Sequence, residues 1–221
     1  MNNSDIFPHI DHTLLKATAK AEQITQLCEE ALLYHTASVC IPANCVKFAR
    51  DKFPELNICT VIGFPLGYST TAVKCFEARD AIQNGADEID MVVNLGWVKD
   101  GKFLEVEREI SDVKNSCGDK ILKVIIETCY LNEQEKIELC KCVTNAGADF
   151  IKTSTGFGTA GANIEDIRLF KQHIGENVKI KAAGGVKNKA DLELFLGEGC
   201  ERIGTSSAVK LLTGQDTDGG Y

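Results

Sequence analysis

Apolar residues recur along this chain in two alternating rhythms. Short runs rich in β-branched residues read as strands, and longer stretches with apolar positions every three to four residues read as amphipathic helices. The short runs are HIDHTLL (9–15), ASVCIP (37–42), ICTVIGFP (58–65), EIDMVVN (88–94), LKVIIET (122–128), FIKTST (150–155), VKIKAAGG (178–185) and RIGTSS (202–207). Among the stretches between them are 21–35, 71–85, 132–147 and 163–174, several of which close on a glycine suited to end a helix. Eight strand–helix units in 221 residues predict an α/β protein, a single (β/α)₈ or TIM barrel over 1–221, ending in a flexible polar tail at about 214–221. An open doubly wound sheet is the competing architecture. It lacks support, because no GxGxxG follows the first strand and no GxxxxGK[ST] occurs anywhere.

A weak internal repeat favours the barrel. Gly85-Ala86-Asp87-Glu88-Ile89-Asp90 and Gly147-Ala148-Asp149-Phe150-Ile151-Lys152 share a helix-ending glycine, an Ala-Asp turn and an aliphatic residue before a charged one. Gly199-Cys200-Glu201-Arg202-Ile203-Gly204 keeps the frame loosely and Ser38-Val39-Cys40 more faintly. Alternate strands of a barrel contribute to common interior layers, so Cys40, Asp90, Lys152 and Gly204 are expected at about one height. Ordinary repeated βα chemistry explains the cysteine and glycine equally well. It does not explain two ionisable groups at interior positions, which cost several kcal/mol to desolvate unless paired.

Composition narrows the function classes. With 24 Lys+Arg against 32 Asp+Glu the net charge is −8, and no basic cluster offers a nucleic-acid surface. The opening MNNSDIFPHIDH has no apolar run long enough for a signal peptide, and no later stretch is long enough to span a bilayer, so a soluble intracellular protein is expected. Ten cysteines in a chain of this size without an export signal are expected to be free thiols. Neither they nor the histidines at 9, 12, 35 and 173 show metal-ligand spacing, so no metal is expected.

The candidate chemistry lies on the late strands. In FIKTST, Lys152 and Ser154 share one face. In VKIKAAGG the apolar Val178, Ile180 and Ala182 can face the helices, which turns Lys181 inward beside Lys152. A like charge nearby and partial burial both disfavour an ammonium, so one amine of such a pair can be neutral near pH 7. A neutral amine attacks an aldehyde to give a protonated imine, an electron sink for a breaking C–C bond. Asp90 across the barrel can move protons through water and balance the cationic intermediates. Each lysine taken alone would be assigned to the surface, and the competing reading of Asp90 is a buried ion pair that only stabilises the barrel. Their joint position near the carboxyl ends of barrel strands favours function. Glycines and small hydroxyls in TSTGFG (153–158), AAGG (182–185) and GTSS (204–207) form a candidate phosphate cradle.

IDHTLL, CIPANCV, VIGFPLG, ADEIDMVVN, KVIIET, GADFIKTSTGFG, KAAGGV and the closing GTSS, in this order over nearly the whole chain, resemble the deoxyribose-phosphate aldolase family. The resemblance implies a (β/α)₈ barrel that reversibly cleaves 2-deoxy-D-ribose 5-phosphate to D-glyceraldehyde 3-phosphate and acetaldehyde, without metal or organic cofactor. By motif, Lys152 matches the Schiff-base lysine, Lys181 the second lysine that tunes it, and Asp90 the proton-relay aspartate. The resemblance adds Asp11, Thr13 and Thr155 as contacts to the sugar or its relay water, and Gly156, Gly184, Gly185, Ser206 and Ser207 as phosphate ligands. It also implies a cytoplasmic role in deoxyribonucleoside catabolism. Some members carry a lysine directly after the glycine of KTSTG. This chain has Phe157 there, so weaker phosphate selectivity is expected. Members often end in a tail whose terminal tyrosine reaches the site, which makes Tyr221 a candidate proton shuttle.

Two other readings compete: another sugar-phosphate barrel enzyme, either a different Schiff-base aldolase or an isomerase using Asp90 and Glu127 as acid and base, and a non-catalytic barrel that binds a sugar phosphate. A desolvated amine serves no purpose in a site that only binds. The sequence does not fix the assembly, a homodimer included.

Overall fold

The β-branched runs form the strands that the periodicity predicts. In the computed structural model, which describes residues 1–214, they are β1 (Ile10–Thr13), β2 (Ser38–Ile41), β3 (Ile58–Ile62), β4 (Glu88–Val92), β5 (Ile121–Ile125), β6 (Phe150–Lys152), β7 (Lys179–Ala183) and β8 (Arg202–Thr205). They pair in parallel in sequence order, and β8 returns to β1 with Asp11 opposite Gly204, which closes the barrel and excludes the open sheet.

Helices Ala21–Tyr34, Thr71–Gln83, Glu133–Asn145 and Ile164–His173 lie within about two residues of the ends read from sequence. Several begin on a side-chain cap. Asn132 Oδ1 accepts from the Glu135 N–H at 2.9 Å while Glu135 Oε2 accepts from the Asn132 N–H at 2.8 Å. Asn163 and Asn188 accept from the Asp166 and Asp191 N–H groups at 2.8 and 3.0 Å. Each cap contributes about 1 kcal/mol and also fixes where the preceding loop ends.

Strand parity divides the interior into two shells. Ile89, Met91, Leu122, Val124, Ile151, Ile180, Ala182 and Ile203 point outward and join the hydrophobic core between barrel and helices. Fully burying such an aliphatic side chain contributes roughly 1.5–3 kcal/mol. The opposite parity sends Asp11, Ser38, Cys40, Cys59, Glu88, Asp90, Lys123, Lys152 and Lys181 into the barrel, where all are buried. A polar interior thus sits inside an apolar sleeve.

One ion pair interrupts the sleeve. Lys74 and Glu109, both fully buried, meet at 2.8 Å, and Lys74 Nζ also donates to the Val92 carbonyl at 2.8 Å. This pins helices Thr71–Gln83 and Phe103–Cys117 to the carboxyl end of β4. All ten cysteines are free thiols. Among the described residues no helix is long and apolar enough to cross a membrane.

Candidate active site

Asp90 lies at the middle of the barrel interior, and both of its oxygens are engaged. Oδ2 accepts from Lys152 Nζ and Lys181 Nζ, each at 2.7 Å, while Oδ1 accepts from Lys123 Nζ at 3.0 Å and from the Cys59 thiol at 3.1 Å. Lys152 and Lys181 are register partners on β6 and β7, which aims both amines at one oxygen. Cys40 Sγ lies within 4.8 Å of the Cys59 and Asp90 donor atoms, and a Cβ on Gly204 would come 3.8 Å from Lys181 Nζ. The four positions of the sequence repeat therefore converge.

Beneath this point the charges continue. Asp11 accepts from Ser38 Oγ at 2.9 Å and Arg202 at 2.5 Å, and its other oxygen lies 2.5 Å from Lys181 Nζ, an ion pair without hydrogen-bond alignment. Glu88 holds Lys123 at 2.5 Å and Arg202 at 2.8 Å. Fully ionised, Lys123, Lys152, Lys181 and Arg202 face Asp11, Glu88 and Asp90, leaving one positive charge in excess. The three lysines are not equivalent. Lys123 and Lys181 are wholly buried between two or more carboxylates, whereas Lys152 touches a single carboxylate oxygen shared with Lys181.

Burial opposes every charge here, and the partners decide the outcome. For Lys181 the cost of burial is outweighed by Asp11 and Asp90, so its ammonium is held above the ordinary lysine range. For Asp90, burial is outweighed by Lys123, Lys152 and Lys181, so it stays a carboxylate well below the usual range, and Asp11 shifts the same way through Lys181, Lys123 and Arg202. In the unfolded chain both aspartates take up protons near pH ~3.9, where the folded barrel still keeps them ionised. Stability is therefore complete above about pH 5 and falls as pH drops through 4. Thermal unfolding between pH 7 and 3 should show that loss, and a flat transition temperature across the range would contradict it.

Above the ion cluster, a small cavity lined by Thr13, Leu15, Lys152, Thr155, Gly156, Ala183, Gly184 and Gly204 opens at the carboxyl ends of β1, β6, β7 and β8. Lys152 is the cluster's amine among those lining residues. Gly156 and Gly184 adopt φ of 89° and 71°, conformations that favour glycine, and turn the backbone close to the cavity. Thr155 is held from behind by Glu127, whose carboxylate accepts from both its N–H, at 3.1 Å, and its hydroxyl.

The remaining sequence-predicted residues are distributed around this centre. Asp11 belongs to the buried ion cluster and is not among the residues lining the cavity, whereas Thr13 and Thr155 are. Gly185 packs against Ala162, and Ser206 and Ser207 follow β8 on the same rim, outside the immediate lining. Phe157 stacks edge-on against Phe64 at 5.4 Å. Tyr221 lies outside the described residues.

Sequence reasoning missed Lys123, Glu88 and Arg202. A signal existed for two of them. Glu88 is two residues before Asp90 on the same strand face, and Lys123 alternates with Leu122 and Val124 inside an otherwise apolar run.

The pattern of the DeoC/LacD family aldolases matches residues 6–206. The chain belongs to the DeoC/LacD aldolase family. Among relatives of this DeoC/LacD aldolase, the deoxyribose-phosphate aldolase of Clostridium botulinum strain Alaska E43 is 57% identical over 220 residues, covering 99% of this chain and 100% of that one. The deoxyribose-phosphate aldolase of Clostridioides difficile strain 630 is 58% identical over 213 residues, covering 96% and 97%. The solved deoxyribose phosphate aldolase of Aeropyrum pernix, described as tetrameric, superposes with a TM-score of 0.87 at 31% identity, covering 96% of this chain and 91% of that one.

Proposed function

We propose that this chain is a deoxyribose-phosphate aldolase that reversibly cleaves 2-deoxy-D-ribose 5-phosphate to D-glyceraldehyde 3-phosphate and acetaldehyde through a Schiff base on Lys152. The observation that carries the reading is the pairing of Lys152 and Lys181 on one oxygen of Asp90 at the floor of a cavity that Lys152 enters. Lys152 makes the fewest carboxylate contacts of the three lysines and is the one that lines the cavity, so its amine is the one presented to substrate.

Attack of Nζ on C1 of the open-chain sugar and loss of water gives a protonated imine. The C3 hydroxyl then gives up its proton to the relay water held by Asp90 as the C2–C3 bond breaks, and the bonding pair moves into the imine. D-Glyceraldehyde 3-phosphate leaves, and the remaining two-carbon enamine is protonated at C2 and hydrolysed to acetaldehyde. Asp90, fixed as a carboxylate, stabilises the iminium and accepts hydrogen bonds from relay water. Lys181, held charged by Asp11 and Asp90, keeps a positive field on the nucleophile.

Thr13 and Thr155 are positioned to contact the sugar, with Glu127 fixing Thr155. Gly156 and Gly184 at the cavity, with Gly185, Ser206 and Ser207 on the adjoining rim, are the proposed phosphate cradle. The commitment of Glu127 to Thr155 weighs against the isomerase reading, which needs that carboxylate free for substrate. The reading carries with it a cytoplasmic setting, where deoxyribonucleoside breakdown supplies the sugar phosphate.

Incubation with acetaldehyde and borohydride tests the proposal. A two-carbon adduct is expected on the peptide carrying Lys152, and an unmodified Lys152 in fully active protein would overturn it.

A further inference from the structure

Cys40 and Cys59 take no part in the chemistry proposed above, yet they stand beside it. They are register partners on β2 and β3, both pointing into the barrel. Adjacent strands lie about 4.8 Å apart. That spacing falls inside the Cα separation of about 4.4–6.8 Å that a disulfide bridges. Their sulfurs and an Asp90 oxygen all lie within 4.8 Å of one another. With Leu15, Val61 and Phe64 they form a small apolar cluster, and Leu15 also lines the mouth cavity, so the cluster that holds the two thiols borders the substrate entrance.

The two thiols are chemically unequal. Cys59 carries one proton and has three acceptors in reach, Asp90 Oδ1, Cys40 and the Thr60 carbonyl. Its hydrogen bond to Cys40, opposed by burial, lowers the Cys40 thiol below its ordinary range, while burial pushes Cys59 well above it. This is the asymmetry of an attacking and a resolving cysteine. Lys123 Nζ, 3.4 Å from Cys59 Sγ and 3.0 Å from Asp90 Oδ1, already sets a cation against two of these groups, which favours redox chemistry over metal binding at this pair.

We propose that Cys40 and Cys59 form a reversible disulfide that switches the active site off under peroxide. The Cys40 thiolate attacks hydrogen peroxide, the O–O bond breaks, and hydroxide leaves and is protonated to water, which gives Cys40 sulfenic acid. The sulfur of Cys59 then displaces hydroxide from that sulfenic acid, and its proton joins the hydroxide as a second water. Two thiols and one peroxide thus become one disulfide and two waters. The new bond draws the Cys59 sulfur away from Asp90 Oδ1 and removes a hydrogen-bond donor from the carboxylate that holds Lys152 and Lys181. The activity loss rests on the aldolase reading, whereas the bond itself is read independently by mass.

The full-length protein is treated with hydrogen peroxide, alkylated and digested with trypsin. The expected product is peptide 21–47 joined to peptide 53–74, with fragmentation placing the link at Cys40 rather than Cys28 or Cys45. Its yield should track a loss of activity on the order of tenfold or more. Dithiothreitol should restore both. In Cys59→Ala the linked peptide should vanish and dimedone should capture Cys40 as sulfenic acid. Peroxide-inactivated protein in which both sulfurs are still alkylated as free thiols, or a fully linked protein with unchanged activity, would overturn the proposal.

Discussion

Lys152→Ala is expected to lower turnover of deoxyribose 5-phosphate by on the order of 10⁴-fold or more, because no other group in the cavity can take over as the covalent nucleophile. Lys123 and Lys181 are amines too, but each is wholly buried and held charged by its carboxylates. The same substitution should barely change stability. Four cations face three carboxylates in the barrel, so removing the one with the single shared contact leaves the rest balanced. The transition temperature should therefore stay within a few degrees of wild type, since about 1 kcal/mol corresponds to roughly 2–4 °C in a domain of this size. Steady-state kinetics and calorimetry on the same preparation test both parts. Residual activity above a hundredth of wild type would remove Lys152 from the nucleophile's role.

Asp90→Asn should do damage of a second kind. It leaves Lys123, Lys152 and Lys181 around a neutral amide and raises the excess of buried cations over carboxylates. Breaking a buried ion pair from one side costs about 3–5 kcal/mol. The transition should therefore fall by roughly 6–20 °C, together with a deep loss of activity. Part of the acid sensitivity should disappear as well, because one of the two strongly depressed carboxyls is gone. A variant that unfolds at the wild-type temperature would mean that the lysines are not held by Asp90.

These contrasting outcomes follow from a site only partly legible in the sequence. The alternation of strands and helices placed all eight strands, and strand parity turned Lys152, Lys181 and Asp90 inward. Parity alone did not reveal depth. Lys123 sits in LKVIIET among residues that all look like core, and its partners Glu88 and Asp90 become visible only when β4 and β5 are set in register, with Asp90 opposite Lys123. Arg202 opens its strand and looks like a solvated end. It reaches Asp11 and Glu88 because barrel closure brings β8 beside β1. Register and closure are long-range facts, and local periodicity carries neither. Asp11 shows the reverse case, a residue whose motif points to the substrate while its side chain faces Lys181 and Arg202.

The division between an apolar sleeve and a charged interior bears on how such a protein can change over time. Substitutions that tune stability have a place of their own, the contacts between strands and helices, where Ile, Val, Leu and Met can be exchanged for one another at modest cost. The strand positions of opposite parity have no such freedom, since each charge there is held by at least one other. A lineage can therefore drift in heat tolerance by repacking the outside of its barrel while the reaction at its centre stays the same.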